Sequence, residues 1–132
     1  MTQKDKELLL KDLCARLPYK VKVQDTYYNE LEPAPIWLLD LNAQAVRLFA
    51  DEGYQNIEYI KPYLFPLSTM NEEQSKELEE IDPEFYSLIC GNGDICVSMD
   101  VRGYDWLNKN HFDYRGLIEK DLAFDATGLK IY

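Results

Sequence analysis

The chain has 132 residues, 46% of them hydrophobic and 13% aromatic, and its 24 acidic and 14 basic residues give a formal net charge of −10. This composition predicts one globular domain over residues 1–132 and argues against a disordered chain, which would be poor in aromatic residues. The negative charge disfavours direct binding to nucleic acid or anionic lipid. It is typical of a small protein kept soluble by its charge, and a protein partner with a basic surface is the alternative interpretation.

Cysteine usage and the N-terminal residues predict a cytoplasmic protein. Cys14, Cys90 and Cys96 are an odd number without a Cys-x-x-Cys pair, which favours a reducing compartment. Charged residues stand where the apolar run of a signal peptide would develop, and no apolar run approaches the roughly 18 residues of a membrane span.

The first predicted element is a helix over residues 2–17. Thr2 and Asp5 have the spacing of a capping box, and apolar residues then recur at helical steps: Leu9, Leu10, Leu13, Cys14 and Leu17. The charged residues between them alternate in sign, which predicts a solvated face that includes Asp12 and Arg16 rather than a nucleic-acid surface.

Alternating apolar and polar residues predict a first strand over residues 19–24. Residues 25–35 are polar, aromatic and interrupted by prolines, which predicts a loop whose Tyr27, Tyr28 and Glu30 cover one end of a sheet. A hairpin follows, with strands at 36–41 and 45–49 around the turn 42–44, and a helix over 42–51 is the competing prediction. Residues 57–60 predict a further strand.

Residues 61–67 contain Pro62 and Pro66, neither of which has an amide donor. The segment is therefore predicted to be an extended edge or crossover rather than a central strand. Its apolar side chains are expected to seal the open end of the sheet, and lining a ligand groove is the alternative.

An acidic helix is predicted from Thr69 or Asn71 to about Glu80, because Thr69 with Glu72 and Asn71 with Gln74 both have capping-box spacing. Leu78 and Ile81 give this helix a narrow apolar stripe, so most of it faces water. The acidic residues predicted to contact a basic partner are Glu73, Glu77 and Glu80.

A second hairpin is predicted from strands at 85–90 and 95–99 around Asn92-Gly93, a dipeptide that favours positive φ. A two-residue turn would give Cys90 and Cys96 poor disulfide geometry, whereas a three-residue turn would place them opposite one another. The sequence leaves open whether they pair.

Residues 104–118 are the part of the chain richest in both large apolar side chains and polar groups. We interpret this stretch as two short helices that meet at a corner. Asp113 is placed to cap the second helix, whose core face would be formed by Leu117, Ile118 and Leu122, with Gly128 at its end. The candidate ligand-binding residues lie in and beside this corner: Trp106, His111, Tyr114 and Arg115.

Arg115 has two interpretations. If it is buried it must pair with Asp113 or another carboxylate, which is the favoured interpretation. If it opens to a pocket, it would clamp a phosphate or carboxylate beneath Trp106 and Tyr114.

Catalytic and metal sites are not predicted. His111 and Asp113 stand two residues apart, so their side chains point to different sides, and no nucleophile is placed beside them. One histidine and scattered cysteines make no metal-ligand set, and no cofactor motif is present.

Three segments together, residues 7–19, 57–70 and 105–116 with the core His111-Phe112-Asp113-Tyr114-Arg115-Gly116, resemble a family of small uncharacterised proteins from gut Bacteroides-type bacteria and their phages or prophages. The resemblance implies no established activity or functional residue, and residues 27–50 depart from the pattern. It implies an intracellular accessory protein that binds a host factor or interferes with defence.

The sequence thus predicts an α+β domain with an N-terminal helix, a small antiparallel sheet or partly open barrel, an acidic helix, a β-hairpin and a C-terminal helical corner. The predicted function is non-enzymatic engagement of a host protein. The alternatives are a binder of a nucleotide-like anion and a small hydrolase around His111.

Overall fold

The computed structural model describes residues 1–28, 32–48, 53–82 and 101–132, with Val101 described by its backbone alone. In these ranges the helices are α1 (Gln3–Arg16), α2 (Glu72–Ile81) and α3 (Val101–Lys109). The strands are β1 (Lys22–Asp25), β2 (Ala34–Pro35), β3 (Leu38–Asp40), β4 (Ala45–Arg47), β5 (Gln55–Asn56), β6 (Ile60–Pro66), β7 (Phe112–Asp113) and β8 (Phe124–Asp125). The predicted α+β class is confirmed.

Helix α1 begins with the predicted capping box. Thr2 Oγ1 accepts from the Asp5 backbone amide at 3.1 Å, and the Thr2 amide donates to the Asp5 carboxylate at 3.2 Å. The buried residues of α1 are Leu9, Leu10, Asp12, Leu13 and Arg16, whereas Cys14 and Leu17 are exposed. The prediction of a solvated charged face is therefore wrong for Asp12 and Arg16, which lie one turn apart on the buried stripe.

Strand β6 is the centre of the larger sheet, so the prediction that residues 61–67 form an edge or crossover is wrong. It pairs antiparallel with β1, which also pairs with β2, and parallel with both β7 and β8. These pairings are short and staggered along β6: β1 meets residues 60–62, β8 meets 63–64, and β7 meets 65–66. The prolines are tolerated because no long stretch of β6 must donate to both sides at once.

A second, three-stranded sheet has the order β3-β4-β5 and contains the first predicted hairpin. The competing helix over 42–51 is not formed in the described part of that segment, where the turn into β4 uses Gln44 at φ 50°. Two neighbouring predictions need correction. Ile57–Tyr59 is a 3-10 turn rather than a strand, and Ala34–Pro35 pairs with β1 inside the predicted loop.

Helix α2 starts at the second of the two predicted positions. Gln74 N donates to Asn71 Oδ1 at 2.8 Å, and Asn71 N donates to Gln74 Oε1 at 3.0 Å. The single buried residue of the helix is Leu78, which packs with Trp106, Leu107 and Phe112 in a small cluster. A larger cluster lies between α1 and the sheets and includes Leu9, Leu13, Val23, Ile60 and Leu64.

The C-terminal corner contains one helix, α3, and the predicted second helix after Asp113 is not formed. Asp113 caps several amides as expected, but the chain then closes into turns, with Leu122 N donating to Leu117 O at 2.9 Å. Gly116 and Asp121 adopt positive φ and reverse the chain, which lets β8 reach β6. The predicted hairpin at 85–99, with Cys90 and Cys96, lies outside the described residues.

Leu64→Ala is expected to lower the free energy of unfolding by about 2–5 kcal/mol, because Leu64 is fully buried on the central strand β6. Urea denaturation followed by tryptophan fluorescence measures this change. Leu41→Ala is the matched control, since Leu41 is exposed and its loss is expected to cost less than about 0.5 kcal/mol. Equal effects of the two substitutions would contradict the assignment of β6 to the core.

Candidate functional site

Trp106, one of the predicted ligand-binding residues, lies in the core. Its side chain is buried on α3 and stacks on Phe112, with ring centroids 5.7 Å apart and an interplanar angle of 13°. The indole Nε1 is buried and has no hydrogen-bond partner among the described residues. Trp106 therefore packs α3 against β7, and its ring is not presented to a ligand beside Arg115.

Arg115 belongs to a buried network centred on Asp12. The side chains of Asp12 and Arg16 are fully buried, and Arg16 Nε donates to Asp12 Oδ2 at 2.7 Å. Arg16 Nη2 donates to the carbonyl oxygen of Phe112 at 2.6 Å. Arg115 Nε donates to Asp12 Oδ1 at 3.2 Å. One carboxylate thus joins α1 to the C-terminal segment through two guanidinium groups, and the partner of Arg115 is Asp12 rather than Asp113.

Tyr114 lies against both cations of this network. The guanidinium carbons of Arg16 and Arg115 lie 5.2 Å and 4.9 Å from its ring centroid. Its hydroxyl donates to Asn108 Oδ1 at 2.8 Å and accepts from Arg115 Nη2 at 3.2 Å. The aromatic lid predicted over a ligand instead covers two cations of the protein itself.

Asp113 acts as the cap that the sequence predicted, although no helix follows it. Its Oδ1 accepts from the backbone amides of Arg115 at 3.2 Å and Leu117 at 3.0 Å, and its Oδ2 accepts from Ile118 N at 2.9 Å. These bonds satisfy the amides of a tight turn at the end of β7. The carboxylate holds that turn rather than orienting His111.

His111 occupies a turn with φ 63° and stacks on Tyr132, with centroids 3.7 Å apart and an interplanar angle of 11°. Its Nδ1 is buried and has no hydrogen-bond partner in the described ranges. Burial, and secondarily the charge of Arg16, lower the pKa of His111 from 6.5 to about 4. As the pH falls, His111 therefore becomes protonated near pH 6.5 in the unfolded chain but only near pH 4 in the folded chain. The contribution of the neutral imidazole to the free energy of unfolding is complete above pH 6.5, and it is lost as the pH falls toward about 4.

A groove of about 470 Å3 lies next to Tyr114. Its charged lining residues, among those described, are Asp113 and Glu119, and Arg115 does not line it. Two carboxylates without a cation make this groove a poor receptor for a phosphate or carboxylate. Trp106 and Tyr114 belong to one apolar cluster and Arg115 lies over Tyr114, whereas His111 stacks on Tyr132. These contacts are internal to the protein, and ligand binding by the four residues stays a prediction.

The acidic residues of α2 lie on its solvent side. Glu73, Glu77 and Glu80 are exposed and follow the spacing of one helical face, opposite the buried Leu78. None of the three forms an ion pair with another described residue. Their charges are therefore directed to solvent, and a role in partner binding stays a prediction.

A larger cleft, of about 620 Å3, opens between the end of β1 and the second sheet. Its described polar and aromatic lining consists of Asp25, Tyr27, Tyr28, Tyr54 and Gln55, above the aliphatic Val46 and Leu48. The Asp25 carboxylate shapes one wall. It accepts from the backbone amides of Tyr27 at 2.9 Å and Tyr28 at 3.3 Å, and from Gln55 Nε2 at 3.1 Å.

The tyrosine rings of this wall stand at steep angles to one another. Tyr27 meets Tyr28 edge to face, with centroids 4.8 Å apart and an interplanar angle of 77°. Tyr59 also contacts Tyr27 edge to face, with centroids 5.2 Å apart and an interplanar angle of 66°. Tyr27 and Tyr28 remain 60% and 56% exposed, so they are wall residues rather than core residues.

Sequence reasoning missed part of each site. The charge pattern of α1 predicts a solvated face that includes Asp12 and Arg16. Their four-residue spacing indicates that they pair with each other on one side of the helix, but it does not show that the pair is buried. Tyr27 and Tyr28 were expected at a sheet end, but Asp25 and Gln55 were not connected with them. That pairing spans 30 residues of chain and has no local signature.

Among the described residues, no group of three or more histidine, cysteine or acidic side chains is arranged to hold a metal ion. No helix in residues 1–28, 32–48, 53–82 and 101–132 has both the length and the apolar character needed to cross a membrane. Comparison with protein-family models, with curated proteins and with solved structures gave no match. Function must therefore be argued from the residues themselves.

Asp12→Asn is expected to lower the free energy of unfolding by about 3 kcal/mol, because it leaves two guanidinium groups without their buried carboxylate. Chemical denaturation measures the loss. The matched control is Asp121→Asn, whose ion pair with Lys61 is exposed on the aspartate side and is expected to contribute less than about 1 kcal/mol. A loss below 1 kcal/mol at Asp12 would show that the network does not hold the fold together.

Tyr132→Ala is expected to raise the pKa of His111 from about 4 toward 6.5, because it removes the ring that covers the imidazole. The chain has one histidine, so a proton NMR titration of its ring resonances reports this pKa directly. Tyr132→Phe keeps the ring and serves as the control, with the midpoint expected to remain near 4. A wild-type midpoint near 6.5 would contradict the burial of His111.

Proposed function

We propose that this chain is a non-enzymatic binding protein that engages another protein, and that the partner presents a basic surface. The observation that carries the proposal is an exposed aromatic surface on the second sheet, formed by Trp37, Leu38, Arg47 and Tyr54. Trp37 and Tyr54 are 52% and 48% exposed, although rings of this size normally bury most of their area.

Arg47 orders this aromatic surface. Its guanidinium carbon lies 4.6 Å from the ring centroid of Tyr54 and 5.8 Å from that of Trp37. The Trp37 backbone amide donates to the Arg47 carbonyl oxygen at 2.8 Å, which fixes the start of the hairpin. Preordered tryptophan, tyrosine and arginine side chains are the residue types that dominate binding energy at protein interfaces, since they lose little conformational entropy on binding.

Charge supplies the second argument. A chain with net charge −10 that directs Glu73, Glu77 and Glu80 to solvent creates a field that attracts a basic protein and repels nucleic acid. Such a field raises the association rate, while the aromatic surface supplies contact area. The acidic charge thus acts while the two proteins approach, and the aromatic surface acts once they are in contact.

The resemblance to proteins of Bacteroides-type bacteria and their phages supports a host protein as the partner. In this proposal the chain is an intracellular accessory protein of a phage or mobile element. Its acidic face draws a basic host protein, and it needs no cofactor.

The triple variant Glu73→Lys, Glu77→Lys and Glu80→Lys is expected to reduce capture of the partner at least tenfold, because it reverses the charge of the exposed face of α2. The tagged protein is incubated with a lysate of a Bacteroides-type host, and stoichiometric partners are quantified by native mass spectrometry. The control reverses three exposed acidic residues elsewhere, Glu7, Glu32 and Glu119, which changes the net charge equally. Equal losses in both variants would indicate a nonspecific charge effect.

Trp37→Ala tests the aromatic surface in the same assay, and it is expected to weaken capture with little change in folding because the ring is exposed. Unchanged capture by both Trp37→Ala and the α2 variant would refute the proposed interface. Retention of a small molecule in place of a protein would instead support the alternative of ligand sequestration.

A further inference from the structure

The cleft at the end of β1 holds a carboxylate, that of Asp25, which forms no ion pair with another described residue. Asp25 is buried and is the charged residue among the described lining residues. Its hydrogen-bond donors are the backbone amides of Tyr27 and Tyr28 and the side-chain amide of Gln55. Oδ1 accepts from all three, whereas Oδ2 accepts from Gln55 alone in the described part of the chain. A carboxylate oxygen has two lone pairs, so Oδ2 retains capacity for a further donor.

The walls of the cleft favour a cation as that donor. The faces of tyrosine rings carry negative electrostatic potential. Tyr27 and Tyr28 meet edge to face and remain more than half exposed beside the carboxylate. Tyr54 adds a third ring to the lining. The same rings, together with the Asp25 carboxylate and the net charge of −10, disfavour an anion.

We propose that this cleft receives an arginine side chain of the protein partner. The inference rests on the proposed function, since it names the chemical group by which a basic partner is recognised. A guanidinium is planar and weakly hydrated, so it stacks on a ring and donates to Oδ2 at the same time, whereas an ammonium group is held mainly as a point charge.

The protein itself shows this mode of packing. Away from the cleft, Arg115 lies over Tyr114 at 4.9 Å, and Arg47 lies over Tyr54, which lines the cleft, at 4.6 Å. Arg47 does not line the cleft, so its contact with Tyr54 leaves the interior open to an incoming group. The volume of about 620 Å3 admits an arginine side chain with its adjoining backbone, and it falls within the roughly 300–1,000 Å3 of small-ligand sites.

The test uses N-acetyl-arginine methylamide as the probe, titrated into the isotopically labelled full chain and followed by amide NMR. Saturable shifts are expected at Tyr27, Tyr28, Gly53 and Gln55, which line the cleft. The citrulline analogue has nearly the same shape without the charge and is expected to produce no saturable shift. The lysine analogue is expected to bind more weakly than arginine.

Asp25→Asn is expected to weaken arginine binding roughly five- to tenfold, because a charge-assisted hydrogen bond is lost while Oδ1 still accepts from the turn amides. Tyr28→Leu removes one wall without touching the carboxylate and is expected to weaken binding as well. Tyr28 is exposed, so this variant tests the site even if Asp25→Asn perturbs the turn. Glu7→Gln removes one exposed negative charge on α1, away from the cleft, and is the control, with affinity expected to be unchanged.

Each outcome decides the inference. Arginine binding that weakens in both cleft variants and not in the control supports it. No saturable shift, an equal response to citrulline, equal or tighter binding of lysine, or unchanged affinity in both cleft variants overturns it. Its failure is separable from failure of the proposed function. Partner capture that persists without probe binding removes only the arginine cleft, and probe binding without capture removes only the protein partner.

Discussion

The carboxylate of Asp12 connects the first helix to the C-terminal third of the chain, and the arrangement of both depends on it. Arg16 and Arg115 approach it from opposite ends of the sequence, and Arg16 also holds the Phe112 carbonyl at the start of β7. A buried ion pair adds little net stability, because desolvation offsets most of the attraction. Its consequence is specificity of packing. An arrangement that separated α1 from β7 would break the ion pair of Arg115 with Asp12 and the hydrogen bond from Arg16 to the Phe112 carbonyl oxygen. It would also remove one of the two cations that lie against Tyr114.

Local sequence signals predicted the structure well where the deciding contacts are local. The capping boxes at Thr2 and Asn71 join residues three apart, and both helices begin where these pairs indicate. The hairpin of β3 and β4 likewise turns within a few residues. In each case the hydrogen bonds that fix the element lie within the window that a sequence pattern spans. For Asp113 the local signal was only partly sufficient. Its capping hydrogen bonds are formed as predicted, but the helix that was expected to follow them is not.

Non-local pairing explains the larger errors. Pro62 and Pro66 correctly indicate missing amide donors, but whether a strand needs those donors depends on which neighbours it pairs with at each position. Strand β6 has three neighbours that each use a different part of it, so it is central without being bonded continuously on both sides. The Asp12 network was missed for the same reason, because the charge pattern of α1 alone does not show that Arg115 lies beside Asp12. In the sequence of a helix alone, an aspartate and an arginine indicate a solvated face. Only the tertiary fold, which places Arg115 beside Asp12, makes the pair part of a buried network.

Arg16 and Arg115 have structural roles in the described part of the chain, and their contacts suggest what the Asp25 cleft could bind. Arg16 and Arg115 are held by a carboxylate and by an aromatic ring, so the stretch that the sequence marked as the richest site is occupied with its own contacts. The Asp25 cleft has the complementary half of that arrangement, a buried carboxylate that has tyrosines beside it and forms no ion pair with a described residue. The interior network therefore indicates what such a cleft accepts, because the physical chemistry that places a guanidinium between Asp12 and Tyr114 operates equally on a guanidinium supplied by another protein. In the proposed mode of binding, the partner contacts the tyrosines that remain exposed rather than those that the fold has already covered.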